Sequence, residues 1–296
     1  MGALGHDAGH YSASRNARLN EFGVWAMSSI CNPILWQHQH TYGHHSFTND
    51  FDHDPDLHHF DRLLRVHHRI QHDKALHGNQ SRWLYVVFAY VFTVFGTAFW
   101  IPWDMMVTGS LYGIVDWKDK DRPQQAIGMR AHFSVYVALI MVVPFFTFSS
   151  IPKALLAIYV HIASIGLTFA FFSQINHLNE PSIVRSLKSD NNVESKRHPI
   201  AVNSWAASQI ETSNNFASNS WMWHLLSNGL NHQIEHHLFP GLNHCHLHHL
   251  APVVQKSCEE FGVNYKSYDT WSELMAATLD WLNKLSVVAN DEKKFC

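Results

Sequence analysis

Three histidine clusters lie outside the apolar stretches of this 296-residue chain, each with members spaced by one helical turn. Neutral imidazole is a ligand for transition metals, and residues four apart share one face of a helix. We therefore predict that helices carrying these clusters converge on a shared metal centre. The members are His6 and His10 in HDAGH, His40, His44 and His45 in HTYGHH, and Gln233, His236 and His237 in QIEHH.

The composition narrows the class of protein. The formal net charge is -3 with histidine neutral, so nothing indicates a nucleic-acid partner. Hydrophobic residues make up 46% of the chain, yet the mean hydropathy is only -0.15, because apolar stretches alternate with very polar ones. The four cysteines form no CxxC motif, and free thiols indicate a reducing environment that faces the cytosol.

Three apolar runs, 84–103, 133–148 and 154–172, separate the second cluster from the third. The first and third approach the length that spans a bilayer, and the second does so if it extends into its flanks. The predicted fold is all-α: a membrane helical bundle with a cytosolic helical cap that carries the histidines. If the clusters share one site, the chain between them crosses the membrane an even number of times. We expect 84–103, which ends among tryptophans, to be the interfacial or re-entrant run.

The order of the motifs resembles the membrane fatty acyl desaturases, and specifically their front-end branch. The stretches that carry the resemblance are HDAGH, QHTYGHHSFTN and GLNHQIEHHLFPGLNH, together with DPD at 54–56 and QINH at 174–177. In the front-end branch the third box begins with glutamine, as it does here at Gln233. Sphingolipid desaturases and lipid hydroxylases share the boxes and stay open as alternatives. A histidine-rich metal-handling membrane protein is the non-enzymatic alternative, but it would place its ligands within the spans.

The resemblance implies an O2-dependent enzyme with two iron ions. Such an enzyme inserts a double bond into a polyunsaturated acyl chain, between an existing double bond and the carboxyl end. Its substrate is an acyl-lipid or acyl-CoA, and its electrons come from cytochrome b5 and the reductase of that protein. It implies a multi-pass protein of the endoplasmic reticulum, with the metal site facing the cytosol. By motif, the implied iron ligands are His6, His10, His40, His44, His45, His177, Gln233, His236 and His237.

Polar residues inside or beside the boxes are expected to hydrogen-bond the ligands, because metal-bound imidazole usually donates its second N–H to a carboxylate or carbonyl. His232 also forms an HxxxHH pattern, but it lies one residue away from the family register, a rotation of about 100° on a helix. We therefore predict a supporting role for it. The predicted supporting residues are Asp7, Asn176, Glu180, His232 and Glu235.

The whole of 1–288 is predicted to be one desaturase domain, followed by a polar tail at 289–296. Front-end members usually carry an N-terminal cytochrome b5 domain with an HPGG motif and two membrane spans before the first box. Here five residues precede His6, and HPGG does not occur. We therefore expect an N-terminally truncated domain that is inactive by itself.

Overall fold

The computed structural model describes residues 2–184 and 204–287, so the predicted tail at 289–296 lies outside the described residues. The described part is mostly helical, which confirms the predicted all-α class. Its α-helices are Gly2–Gly9 (α1), Ala17–Gly23 (α2), Pro33–Trp36 (α3), His45–Phe47 (α4), Trp83–Val91 (α5), Thr93–Phe95 (α6), Ile101–Thr108 (α7), Pro123–Tyr136 (α8), Pro144–Thr147 (α9), Ile151–Ser173 (α10), Glu180–Val184 (α11), Trp205–Glu211 (α12), Trp221–Leu226 (α13), Gln233–Leu238 (α14), Leu247–Phe261 (α15) and Trp271–Leu285 (α16).

Shorter elements connect these helices. The π-helical segments are Gln37–His44, Gly96–Trp100 and Val137–Val142, and the 3-10 segments are Val24–Met27, Pro55–His58, His77–Asn79, Asp119–Asp121, Gln174–Asn176, Leu230–His232 and His244–His246. Among the described residues, β-structure is limited to two short pairs. Ser110–Leu111 (β1) pairs antiparallel with Val115–Asp116 (β2), and Asn215–Phe216 (β3) pairs parallel with Ser267–Tyr268 (β4).

Three helical segments are long and apolar enough to cross a membrane by length and composition: Trp83–Thr108, Pro123–Thr147 and Ile151–Asn176. Each segment contains a predicted apolar run. The second segment begins ten residues before the run 133–148, which is the extension that this run needs to reach spanning length. The chain is therefore a membrane protein. That the first segment lies along the interface instead of crossing stays a prediction.

The chain divides into two compact units. The first comprises Met1–Ser46, Asp52–His59 and Val86–Phe171, and the second comprises Phe47–Phe51, Phe60–Tyr85 and Phe172–Cys296. Each unit contains its own share of the predicted ligands. The first holds His6, His10, His40, His44 and His45, and the second holds His177, Gln233, His236 and His237.

The packing of helices in the first unit includes a buried cluster and a close backbone approach. Leu35 of α3, Met105 of α7 and Met129 of α8 belong to a single buried cluster. Asn32 caps α3 and also donates from its side chain to the Met129 carbonyl at 3.0 Å, which holds α3 against α8. On α10, a Cβ added at Gly166 would lie 2.5 Å from the Val91 carbonyl oxygen, so only glycine permits this packing.

The second unit is built around α12, α14 and α15, which contribute the buried residues Ile210, Ile234 and Val254. The helix α16 begins with a capping box between Thr270 and Glu273. Its far end is held by the segment 60–85 of the same unit. The Trp281 indole donates to the Val66 carbonyl at 2.8 Å, and the Gln80 amide donates to the Leu282 carbonyl at 2.7 Å.

Candidate metal centre

The histidines of the first two boxes come together in the first unit. One ring nitrogen from each of His6, His10 and His40 lies within 4.8 Å of the others. His45 joins this set, since its ring centroid is 4.4 Å from that of His10 and its Nε2 is 3.3 Å from Nε2 of His40. His6 and His10 are one turn apart on α1, so their shared helix face explains why they meet.

Two aspartates orient the second-box histidines. His40 Nδ1–H donates to Asp56 at 3.0 Å, and His44 Nδ1–H donates to Asp54 at 2.9 Å. Asp54 also accepts from the backbone N–H of Asp56 at 2.9 Å, which caps the 3-10 turn Pro55–His58. With Nδ1 engaged in this way, Nε2 is the nitrogen available to a metal ion. The sequence analysis used DPD as a family feature and gave its carboxylates no role. The signal that could have indicated the role is a pair of acids that flank a proline close after a histidine box.

The electrostatics of this group follow from burial and from the two carboxylates. Burial lowers the pKa of His40 to about 4 despite its bond to Asp56. Burial by itself would also lower the pKa of His44, but Asp54 and Asp56 outweigh it and raise that pKa to about 9. Burial opposes ionisation of Asp56, yet His44 and His40 hold the pKa of Asp56 well below its usual range. The Asp56 carboxylate is therefore anionic beside these two imidazoles, and an anionic partner on Nδ1 favours a cation bound at the other ring nitrogen.

Trp36 forms a wall of this group. Its ring stacks on His40 with centroids 4.7 Å apart, and its centroid lies 5.6 Å from that of His6 and 5.7 Å from that of His10. Gly9 allows this arrangement, because a Cβ at that position would lie 2.2 Å from the Trp36 ring. The small residue inside HDAGH therefore makes room for the aromatic wall.

We expect Gly9→Ala to displace Trp36 and to disturb the three histidines that it touches. Overpacking a buried site costs about 1–3 kcal/mol, so thermal unfolding of the purified protein should occur at a lower temperature, with less bound iron. Gly78→Ala is the matched control, because a Cβ there meets no atom within 4 Å. Equal iron content and equal unfolding temperatures in the two variants would contradict this account of the tryptophan wall.

In the second unit, His177 and His237 lie side by side with ring centroids 4.6 Å apart. His237 Nδ1–H donates to the Gln209 side-chain oxygen at 2.8 Å, and the same oxygen accepts from the Thr48 hydroxyl at 2.8 Å. His177 Nδ1–H donates to the Thr212 carbonyl at 3.0 Å. Both rings thus have Nδ1 as the N–H donor and Nε2 as the acceptor nitrogen, as in the first unit. Sequence reasoning missed Gln209 and Thr212, because no motif links them to the boxes.

Gln233 lies at the start of α14, beside His177. Its side-chain nitrogen is 2.9 Å from His177 Nε2, and its oxygen accepts from Asn176 at 3.4 Å. Asn176 also donates to the carbonyls of Phe172 and Leu230, so this predicted supporting residue holds the Gln233 amide in place. His236 is buried on the same helix, with its ring centroid 5.7 Å from that of His237.

The remaining predicted supporting residues differ in their surroundings. Asp7 is buried, with a carboxylate oxygen 3.9 Å from His6 Nδ1. Glu235 is fully buried, its pKa is raised by burial, and it accepts hydrogen bonds from Asn215 and Tyr265. Glu180 is 44% exposed and pairs with Lys284. His232 is buried, and its ring centroid is 5.7 Å from that of His224. The support of all four for the metal ligands stays a prediction.

The donor set in both units suits iron. Imidazole nitrogens with carboxylate or carbonyl partners on Nδ1 are characteristic ligands for iron, zinc and copper, and their orientation is already determined by those hydrogen bonds. The geometry therefore supports a histidine-rich site that is compatible with iron.

Comparison with known proteins agrees with this chemistry. The family profile described as "Fatty acid desaturase" matches residues 1–269. An "sn-1 linoleoyl-lipid 6-desaturase" of Synechocystis sp. is 27% identical, over 95% of this chain and 75% of that protein. An "acyl-lipid (8-3)-desaturase" of Physcomitrium patens is 30% identical over 93% and 55%, and an "acyl-lipid (7-3)-desaturase" of Rebecca salina is 31% identical over 93% and 58%. The chain thus spans little more than half the length of the latter two relatives. No solved structure matches significantly.

These matches confirm the resemblance to front-end fatty acyl desaturases that the three boxes indicated. The predicted ligands lie outside the three candidate membrane spans, whereas a transporter would place its ligands within them. The family match extends over most of the chain and includes every residue that the boxes proposed as a ligand. The chain therefore belongs to the fatty acid desaturase family.

Proposed function

We propose that this protein inserts a double bond into a polyunsaturated acyl chain, between an existing double bond and the carboxyl end, with O2 as oxidant. The observation that carries the proposal is the orientation of His40 and His44, whose Nδ1 atoms are held by carboxylates so that Nε2 is left for a metal. The relatives named above act on acyl-lipids according to their names, which supports an acyl-lipid substrate over acyl-CoA or a sphingolipid.

The predicted ligands of both units would hold two iron ions. When bound, iron would activate O2 for the removal of two hydrogens from an unactivated methylene pair, a reaction that no side chain performs as an acid or base. The chain's own part is geometric. Asp54, Asp56, Gln209 and the Thr212 carbonyl keep the imidazoles in one tautomer and one orientation, so that little reorganisation accompanies metal binding.

Electrons would come from cytochrome b5 and its reductase, with the protein in the endoplasmic reticulum and the metal site facing the cytosol. The described cysteines Cys31, Cys245 and Cys258 are free thiols, which supports a reducing compartment on at least one side of the membrane. Histidine boxes outside the apolar segments support a site at the aqueous face, where a soluble electron-donor domain can approach.

The experiment is expression of the chain joined to an N-terminal region with two membrane spans and a cytochrome b5 domain, in yeast cells fed linoleic and other polyunsaturated acids. The lipids are analysed by gas chromatography with mass-spectrometric location of each double bond. We expect a new double bond on the carboxyl side of an existing one, and none with His44→Ala. His246→Gln, which changes an exposed histidine outside the boxes, is the matched control. If the only products were hydroxylated lipids or desaturated sphingoid bases, the protein would instead be a lipid hydroxylase or a sphingolipid desaturase.

We expect Gln233→His to retain iron but to lower the rate of desaturation. The Gln233 amide is neutral, binds metal weakly and contacts His177 Nε2, whereas imidazole would compete as a strong ligand at that position. His236→Ala and His237→Ala should lose both iron and activity. Iron content by elemental analysis and product formation by gas chromatography separate the two effects. Equal activity of Gln233→His and wild type would show that the Gln233 amide has no special role in the reaction.

A further inference from the structure

An apolar surface lies on α13, the short helix that precedes the third box in the second unit. Trp221, Met222, Leu225 and Leu226 are all exposed, with 78% of the surface of Trp221 and 67% of that of Leu225 accessible. At about 100° per residue, these four positions fall within an arc of about 140° on one side of the helix. Adjacent large apolar side chains are rarely left in water, and such a patch marks a contact with a protein or a membrane.

The opposite side of α13 is anchored in the second unit, so its apolar side has a fixed direction. The Trp223 ring stacks on Trp271 with centroids 6.0 Å apart, and its centroid is also 6.0 Å from that of Phe216. His224 Nδ1–H donates to the Asn231 side-chain oxygen at 3.2 Å. The helix therefore cannot rotate to bury its apolar side without breaking these contacts.

The inner side of α13 contacts the end of a segment that is long and apolar enough to cross a membrane. The Trp223 centroid is 6.1 Å from that of Phe172, which belongs to the segment Ile151–Asn176. Asn176, the last residue of that segment, donates to the Leu230 carbonyl, just beyond α13, at 3.1 Å. The end of a membrane-crossing helix lies at the boundary between hydrocarbon and water, where tryptophan is enriched. These contacts bring α13 to that boundary.

The sequence around α13 also suits contact with lipid. No Asp, Glu, Lys or Arg occurs between Glu211 and Glu235, although these four residue types make up 15% of the chain. A charged side chain is costly in the hydrocarbon region, and polar uncharged residues are tolerated at its edge. A surface without charge needs no anionic lipid, so a zwitterionic membrane is sufficient.

We propose that α13 is an interfacial helix, whose face of Trp221, Met222, Leu225 and Leu226 inserts into the lipid at the membrane surface. Interfacial helices bury their apolar face about 5–10 Å into the boundary between headgroups and acyl chains. Asn176 also donates to the Gln233 side-chain oxygen at 3.4 Å, so it links the segment end, the turn after α13 and the third box. The third box would thus be held at the surface that supplies acyl-lipid, a consequence that rests on the proposed function.

The test measures what surrounds α13 in the full chain, reconstituted in phosphatidylcholine nanodiscs so that both membrane faces are open to water. An environment-sensitive fluorophore is attached at Leu225→Cys, and in a second variant at Met222→Cys. Glu259→Cys on α15, exposed in the same unit, is the matched control. All three substituted positions are exposed, so no buried packing changes.

The labelled variants need a background with no other reactive thiol. Cys245 is exposed and Cys31 and Cys258 are buried, so the background is Cys245→Ser/Cys296→Ser. Two quenchers distinguish the surroundings of each fluorophore. One is phosphatidylcholine with a nitroxide on the acyl chain close to the headgroup, and the other is iodide in the water.

We expect nitroxide lipid to quench the fluorophore at positions 222 and 225, with a blue-shifted emission that iodide does not reduce. The fluorophore at position 259 should show the reverse. The proposal is overturned if iodide quenches position 225 as strongly as position 259, because α13 then faces water. It is also overturned if neither quencher reaches positions 222 and 225, because a second copy of the chain or another protein then covers this surface.

Discussion

Asp54→Ala is expected to release iron and to destabilise the protein at the same time. Asp54 is fully buried, accepts the Nδ1–H of His44 at 2.9 Å and caps the turn that carries Asp56. Removing one member of a buried ion pair costs about 3–5 kcal/mol, because the other member keeps its charge without compensation. Loss of a carboxylate behind a metal-bound histidine lowers metal affinity by about 10–100-fold. Desaturation in the yeast assay should therefore fall to background.

Asp54→Asn separates the two roles of this residue. One side-chain oxygen of Asp54 accepts from the Asp56 N–H and the other from His44, so the amide keeps the turn and loses the anionic acceptor. We expect an unfolding temperature close to wild type, with iron content still reduced. The measurements are thermal unfolding in detergent and iron by elemental analysis. Full iron content in Asp54→Asn would show that the carboxylate does not support His44 as a ligand.

Gln209→Leu should lower the iron affinity of the ligands in the second unit, as Asp54→Asn should in the first. The Gln209 oxygen accepts from both His237 Nδ1–H and the Thr48 hydroxyl, and all three side chains are buried. Leucine has a similar size but no acceptor, so the Gln209 oxygen no longer accepts from these two buried donors, at a cost of about 1–3 kcal/mol. The His237 ring also loses the bond that directs Nε2 outward, and we expect an iron affinity about 10–100-fold lower.

Gln209→Glu is the matched control, because a carboxylate keeps the acceptor in the same position. Its iron content should stay near that of wild type, whereas Gln209→Leu should lose iron before it loses its fold. Circular dichroism and size-exclusion chromatography establish folding in each case. Identical iron content in the leucine and glutamate variants would mean that the tautomer of His237 is set by another group.

Residues separated by one helical turn were the part of the site that could be predicted. His6 and His10, four apart, share a face of α1 as the period of an α-helix requires. The position of His232, one residue out of register with Gln233, predicted a different direction for its ring, whose centroid lies 5.7 Å from that of His224. The neighbour of this ring was not predictable, because the left-handed turn at Gly229 lies between His224 and His232, and no periodicity describes such a turn.

The sequence by itself determined the family, the all-α class, the three apolar segments and the identity of the ligand candidates, since all of these depend on residue type and local spacing. The tertiary structure decided which groups orient those ligands. Thr48 meets Gln209 across 161 positions of the chain, and Asn49 donates to the His177 carbonyl across 128. Such pairs form because buried polar groups must find partners wherever the packing of helices brings them, and local spacing does not specify that packing.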